Sequence, residues 1–183
     1  GGALAERHGR APVARAALDD VGERFEKGKF FLPQLMASAE AAKAGFDVIK
    51  EQGGSGAVAD KGSVAIATVK GDIHDIGKNI VKVLLENYSF DVIDLGKDVP
   101  PEVIVDTAVE QDIRLVGLSA LMTTTVVSME ETIKLLRERK PECKVMVGGA
   151  VLNQDYADMI GADFYGKDAM QSVYYAQRVF GEE

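Results

Sequence analysis

From residue 64 onward the chain alternates strand-like and helix-like segments, and no other feature narrows its fold as much. Val64–Val69 is a nearly continuous apolar run, as expected for a strand buried on both faces. Lys78–Glu86 follows, with Ile80, Val81, Leu84 and Leu85 on one helical face. Phe90–Leu95 reads as a strand, Pro101–Gln111 as a helix opened by proline, Leu115–Ser119 as a strand and Val126–Arg139 as a helix. Lys144–Val147, Gln154–Ile160, Asp163–Tyr165 and Ala169–Phe180 continue the pattern. Five strand–helix units predict an α/β fold, a doubly wound five-stranded parallel sheet of flavodoxin-like order 2-1-3-4-5.

The segment before residue 62 has a different period. Ala14, Leu18, Val21 and Phe25 form one helical stripe, and Gly28 is a suitable stop. Pro33 suits the start of a second helix, along which Leu35, Ala39, Ala42, Phe46 and Ile49 share a face. The polar, glycine-rich stretch Glu51–Gly56 reads as a linker. The expected organisation is a small helical domain over 1–55 and an α/β domain over 62–183. Two helices alone bury little surface, so the first domain is expected to pack on something else or to lack a preceding helix pair.

Composition removes several classes of function. The 183 residues carry 21 Lys and Arg against 29 Asp and Glu, a net charge of −8 with no basic run, which argues against nucleic-acid binding. No run of 18 apolar residues or secretory leader is present, so the reading expects no membrane span and a cytoplasmic location. A single cysteine, Cys143, excludes an intramolecular disulfide and any multi-cysteine metal site. Cys143 precedes the fourth strand, at the edge away from the ligand side, and reads as structural.

In sheets of this order, ligands bind outside the carboxyl ends of the strands, beside strands one and three. Strand one leads into Gly71-Asp-Ile-His-Asp-Ile-Gly77, strand three into Ser119-Ala-Leu-Met-Thr-Thr-Thr125, and strand four into Gly148-Gly149. All three segments project from one edge. Each glycine taken singly fits a tight turn; as a set they also leave room for a ligand near the backbone. His74 follows Asp72 by two residues, and a carboxylate on one ring nitrogen makes the other a better metal ligand. His8, in a polar stretch, has no such neighbour.

Familiar motifs fail here. Gly71 to Gly77-Lys78-Asn79 has one residue too many for a phosphate-binding P-loop, and Asn79 stands where a magnesium-binding hydroxyl belongs. The first turn lacks the dinucleotide glycine fingerprint, and no G-x-S-x-G elbow occurs. A phosphoacceptor receiver would want an aspartate where Ser119 stands.

Asp72-x-His74-x-x-Gly77, Ser119-x-Leu121 and Gly148-Gly149, in this order on this fold, resemble the cobalamin-binding domain. Phe25-Glu-Lys-Gly-Lys-Phe-Phe-Leu-Pro-Gln-Leu35 resembles the helical cap of its methyl-transferring members, including methionine synthase and the small corrinoid proteins of anaerobic methyltransferase systems. The likeness runs from about Val21 onward, and the Gly71–Val81 stretch with Thr123–Thr125 is most similar to the small corrinoid proteins. Caps of this family usually have four helices, so the cap expected here is partial. Gly166 and Lys167 replace the more usual Ala-Pro.

The resemblance implies a cobalamin or related corrinoid, in a methyl-cobalt form during turnover, with His74 as the lower ligand of cobalt. It implies that Asp72 accepts a hydrogen bond from the other ring nitrogen and that Thr125 extends the relay. The displaced nucleotide tail would lie near Gly77, Ser119, Leu121, Gly148 and Gly149, with Ile73, Asp75 and Thr123 also in the binding set. Phe25, Leu32 and Leu35 would cover the methyl-bearing face. The protein would then be a non-autonomous methyl carrier rather than a complete enzyme. Its partners would be a donor-specific methyltransferase, an acceptor methyltransferase serving a folate or thiol, and a reductive activase. Aryl methyl ethers are weakly favoured as donors over methylamines, methanol or quaternary amines. Ligation by His74 is expected to depend on pH. Two alternatives remain open: a cobalamin-binding sensor, and a non-corrinoid metal or nucleotide module built on Asp72 and His74.

Overall fold

The computed structural model describes residues 16–17, 19–25, 27–31, 33–38, 40–41, 44 and 61–181. The chain forms two compact units. One draws on the segment up to Lys61 together with Val83–Phe90; the other comprises Gly62–Lys82 and Asp91–Glu183.

In the first unit, helix α1 includes residues 16–17 and 19–25, and helix α2 includes 33–38, 40–41 and 44. Gly28, at φ 68°, takes the left-handed conformation that ends α1, and Lys29 N–H returns to the Arg24 carbonyl at 2.8 Å. Pro33 opens α2, where its missing N–H costs nothing, and Gln34 Oε1 accepts the Phe31 N–H at 2.7 Å. Ala14, Leu18, Ala39, Ala42, Phe46, Ile49 and the expected linker over 51–56 lie outside the described residues.

The elements that follow are β1 (Ser63–Thr68), α3 (Ile76–Asn87), β2 (Asp91–Asp94), α4 (Pro101–Glu110), β3 (Leu115–Ser119), a 3-10 turn (Thr123–Thr125), α5 (Val126–Arg139), β4 (Lys144–Gly148), α6 (Gln154–Met159), β5 (Phe164–Tyr165) and α7 (Ala169–Val179). All strand pairs are parallel, in the order β2-β1-β3-β4-β5. The expected fold class and strand order therefore hold. Boundaries differ by a residue or two. Val69, expected in β1, makes only an isolated bridge to Val99, because the chain turns at Lys70 and Gly71.

The core of the sheet follows from the alternation of side chains. Ala65, Ala67, Val69, Val116, Leu118, Val145 and Val147 form one cluster with Ile104 and Val105 of α4 and with Met129, Ile133 and Leu136 of α5. Each fully buried aliphatic side chain contributes roughly 1.5–3 kcal/mol relative to exposure. Two helices start on side-chain caps: Asn153 Oδ1 accepts Tyr156 N–H at 2.8 Å, and Asp168 Oδ1 accepts Gln171 N–H at 3.0 Å. With the core fixed this way, the loops after β1, β3 and β4 emerge together at the carboxyl edge. No helix among the described residues is long and apolar enough to cross a membrane.

Candidate functional site

The loop after β1 is clamped by backbone bonds before any side chain enters. Asp72 N–H donates to the Val69 carbonyl at 3.0 Å, and the Asp72 carbonyl accepts Asp98 N–H at 3.0 Å. Asp98 Oδ1 in turn accepts Gly71 N–H at 2.7 Å.

On this clamped loop Asp72 is fully buried. Its Oδ1 accepts the His74 backbone N–H at 3.0 Å and lies 2.8 Å from His74 Nδ1. Its Oδ2 accepts the N–H groups of Leu121 at 2.7 Å and Met122 at 3.2 Å, and the Thr125 hydroxyl at 2.9 Å. Thr125 Oγ1 also lies 2.8 Å from the Met122 carbonyl. It has one proton, and the charged oxygen is the stronger acceptor. Burial pushes the Asp72 carboxyl up, but the bonds from His74, Leu121 and Thr125 outweigh it and hold the group well below the usual carboxylate range.

An ionised Asp72 only accepts, so in the neutral ring Nδ1 carries the proton and Nε2 keeps its lone pair. The His74 side chain is 46% exposed, so the ring is open to a ligand. Among the described residues no group of three or more His, Cys, Asp or Glu is placed to hold a metal. A bare transition metal ordinarily takes several protein donors. One imidazole with a carboxylate behind it suits a metal whose other positions are already filled by a macrocycle.

The other expected site residues divide. Ile73 and Leu121 are exposed apolar side chains on the same two loops as His74 and Asp72's partners. Asp75 contributes its carbonyl to the start of α3, accepting Asn79 N–H at 2.9 Å, and does not join the Asp72 network. Thr123 is exposed and also stands apart from that network. Ser119 ends β3 beside Gly148 of β4. Phe25 is half-buried at the end of α1 and Leu35 is buried on α2. Leu32 lies outside the described residues.

The glycines have two kinds of cause. A Cβ on Gly149, at φ 138°, would sit 1.8 Å from the Ala120 carbonyl oxygen, so the chain itself requires glycine there. The fold thus has its own need for glycine at 149, separate from any ligand. A Cβ on Gly77 would meet nothing within 4 Å, and one on Gly148 would meet only the Gly166 carbonyl at 3.5 Å. The protein's own packing does not explain these two, whereas an elongated ligand along the edge would. The residues present thus fit a corrinoid.

Residues 62–174 match the B12 binding domain, and residues 13–50 match a second family of the same description. The chain belongs to the B12-binding corrinoid proteins. Dimethylamine corrinoid protein 3 of Methanosarcina mazei is 42% identical over 165 residues, 88% of this chain and 99% of that protein. A solved cobalamin-binding protein of Desulfitobacterium hafniense DCB-2 shares 32% identity at a TM-score of 0.81, covering 97% of this chain and 89% of that one. A chain of the methanol:cobalamin methyltransferase complex MtaBC from Methanosarcina barkeri shares 34% identity at a TM-score of 0.76, over 91% of this chain and 64% of that one. The cofactor of this corrinoid protein is therefore cobalamin or a close relative.

Sequence reasoning missed two parts of the site. The Leu121 and Met122 N–H groups are backbone donors, which no residue type announces. Lys78 reads in the sequence only as a misplaced phosphate-loop lysine, yet it is buried, with Nζ donating to Asp94 Oδ1 at 2.6 Å and to Asn79 Oδ1 at 2.8 Å. Asp94 Oδ1 also accepts Gly96 N–H at 2.9 Å, and Lys82 Nζ reaches Asp94 Oδ2 at 3.3 Å. Burial raises the Asp94 carboxyl, but the bond from Lys78 and its companions holds it below the ordinary range. This pair, Lys78 buried and Asp94 half-buried, ties the first turn of α3, which follows His74, to the end of β2.

Proposed function

We propose that this corrinoid protein carries a methyl group from a donor-specific methyltransferase to an acceptor methyltransferase. The observation that carries the reading is the Asp72 carboxylate, buried and held by four N–H or O–H donors while it faces His74 Nδ1. When bound, the corrinoid supplies a cobalt centre that accepts and gives up the methyl group. The chain's task is to hold and tune it. Asp72 keeps the proton on Nδ1, so Nε2 of His74 would be the atom that holds the cobalt. Thr125, Leu121 and Met122 keep the carboxylate from turning away, so the imidazole holds its orientation.

Gly77, Ser119, Gly148 and Gly149 border the tail, and Ile73 and Leu121 offer apolar contact to the macrocycle. Residues 1–55 form the cap domain and 62–183 the corrinoid domain, with Phe25, Leu32 and Leu35 shielding the methyl group. Support for the cap role is the Phe25–Leu35 motif. The donor is a methylated amine, because a relative matched along 99% of its length is named for dimethylamine. A folate or thiol acceptor and a reductive activase complete the system, in the cytoplasm.

The test is reconstitution with hydroxocobalamin, removal of free ligand, and comparison of visible spectra with a His74→Ala variant. The expected result is a retained corrinoid with histidine ligation that the variant lacks. Identical spectra for the two proteins would remove His74 from the metal. Methylation of the reconstituted protein by a dimethylamine-specific methyltransferase, but not by one for methanol or aryl ethers, is expected; the reverse would reassign the donor.

A further inference from the structure

One buried polar atom at the carboxyl edge has no role in the Asp72 network. Thr68 ends β1 and is fully buried, and its Oγ1 has no hydrogen-bond partner. A buried hydroxyl left unpaired costs about 1–3 kcal/mol, so such atoms are rare without a reason.

The sheet register places this atom. Ile66, Gly117 and Met146 lie side by side across β1, β3 and β4. A Cβ on Gly117 would meet Ile66 Cγ2 at 3.2 Å and Met146 Cε at 2.9 Å, so these side chains share one face. Two residues on, Thr68, Ser119 and Gly148 are aligned in the same way, and alternation puts them on that same face at the carboxyl edge. The opposite face is the apolar cluster containing Ala65, Ala67 and Val69, to which Thr68 does not belong. Next to Gly148 comes Gly166, whose carbonyl a Gly148 Cβ would approach at 3.5 Å. The row Thr68–Ser119–Gly148–Gly166 is therefore a strip of two hydroxyls and two glycines laid across four positions of an otherwise apolar sheet face.

We propose that the Thr68 hydroxyl donates a hydrogen bond to the nucleotide tail of the corrinoid and so selects for tail-bearing cofactors. The inference rests on the corrinoid reading above. If His74 takes the lower position on the metal, the cofactor's own base is displaced, and its ring nitrogen regains a lone pair that needs a donor. Thr68 Oγ1 is a donor without an acceptor, in a row where Gly148 and Gly166 carry no side chain. Each group satisfies the other, and the unpaired hydroxyl costs stability only in the empty protein.

The test uses two probes: hydroxocobalamin, and cobinamide, which has the macrocycle and metal but no nucleotide. Affinities are measured for the full chain and for Thr68→Val, which replaces the hydroxyl by a methyl of similar volume. The expected result is a loss of roughly tenfold in cobalamin affinity, the equivalent of one hydrogen bond, with cobinamide affinity unchanged. The empty Thr68→Val protein should melt at or above the temperature of the parent, because an unpaired polar atom has gone. Thr68→Ser, which keeps the donor, should keep the preference for cobalamin. An unchanged cobalamin affinity in Thr68→Val would overturn the proposal, as would an equal loss for both probes, which would mark a packing effect. Should Thr68→Val fail to fold, Thr68→Ser and Thr68→Ala decide the matter by the same ratio. If the parent chain binds neither probe, the corrinoid reading itself fails and this inference with it; a parent that binds both equally overturns the Thr68 role alone.

Discussion

Two aspartates at opposite edges of the sheet, Asp72 buried and Asp163 partly exposed, are each held in the charged form, by different means. Asp163 precedes β5 at the amino edge. Its Oδ2 pairs with Arg137 Nη2 at 2.6 Å and accepts Val145 N–H at 2.8 Å, while Lys144 Nζ reaches Oδ1 at 3.2 Å. Burial raises its carboxyl, and Arg137 and its companions bring it below the ordinary value. At the carboxyl edge Asp72 has no Lys or Arg partner among the described residues. It is held by neutral donors alone, with one histidine beside it. The cations neutralise Asp163 and finish its work locally. The charge on Asp72 is solvated by dipoles but not cancelled, so it remains available to act on His74. The contrast separates a carboxylate that holds structure from one that tunes a neighbour.

The largest expected effect comes from neutralising each in turn. Asp72→Asn puts an amide N–H where an acceptor stood, against donors already converging there, and should cost roughly 2–4 kcal/mol of stability by urea unfolding. It should also abolish histidine ligation of the bound corrinoid, because an N–H facing Nδ1 forces the ring proton onto Nε2. Asp163→Asn should lose about 1–3 kcal/mol and leave the corrinoid spectrum unchanged. If both variants lose ligation, the two carboxylates are not distinct in kind. The pH dependence has the same sign for both. A carboxyl lowered on folding contributes stability that is present above its unfolded value near 4 and is lost as pH falls through the folded value. Below about pH 4 the parent should therefore lose stability more steeply than either variant.

A smaller effect is expected at Thr125. Thr125→Val removes one donor of four from Asp72 and should cost about 1 kcal/mol, with a weakened but surviving ligation signal. Thr125→Ser keeps the hydroxyl and should preserve the signal. Equal spectra for Thr125→Val and the parent would remove the hydroxyl from the relay.

How much of this was legible beforehand depended on whether the information sat in residue types or in backbone. The strands and helices were readable because burial on both faces writes continuous apolar runs and amphipathic stripes. Asp72, His74 and Thr125 were readable because their side chains carry the chemistry, and the structure brings the three together. The N–H groups of Leu121 and Met122 were not, since any residue supplies one. The fold's own need for glycine at 149 was hidden, because the clash with the Ala120 carbonyl exists only once β3 and β4 are aligned. Thr68 had a signal, one hydroxyl in the apolar run Val64–Val69, but threonine is common in strands and its isolation appears only in three dimensions.

The smallest effect concerns Cys143, which also lies toward the amino edge, just before β4. The thiol is fully buried, and burial pushes it up to about 11. Lys140 and Arg137 pull the other way but do not offset the loss of water. A thiolate is the reactive form, so at pH 8 the folded protein should resist a thiol-reactive chromophore that labels it readily in urea. Binding of hydroxocobalamin should leave that slow rate unchanged, since the proposed corrinoid site lies at the other edge. Protection that rises markedly with the corrinoid would mean that the edges are coupled through the sheet, and the division between a structural edge and a reactive one would have to be redrawn.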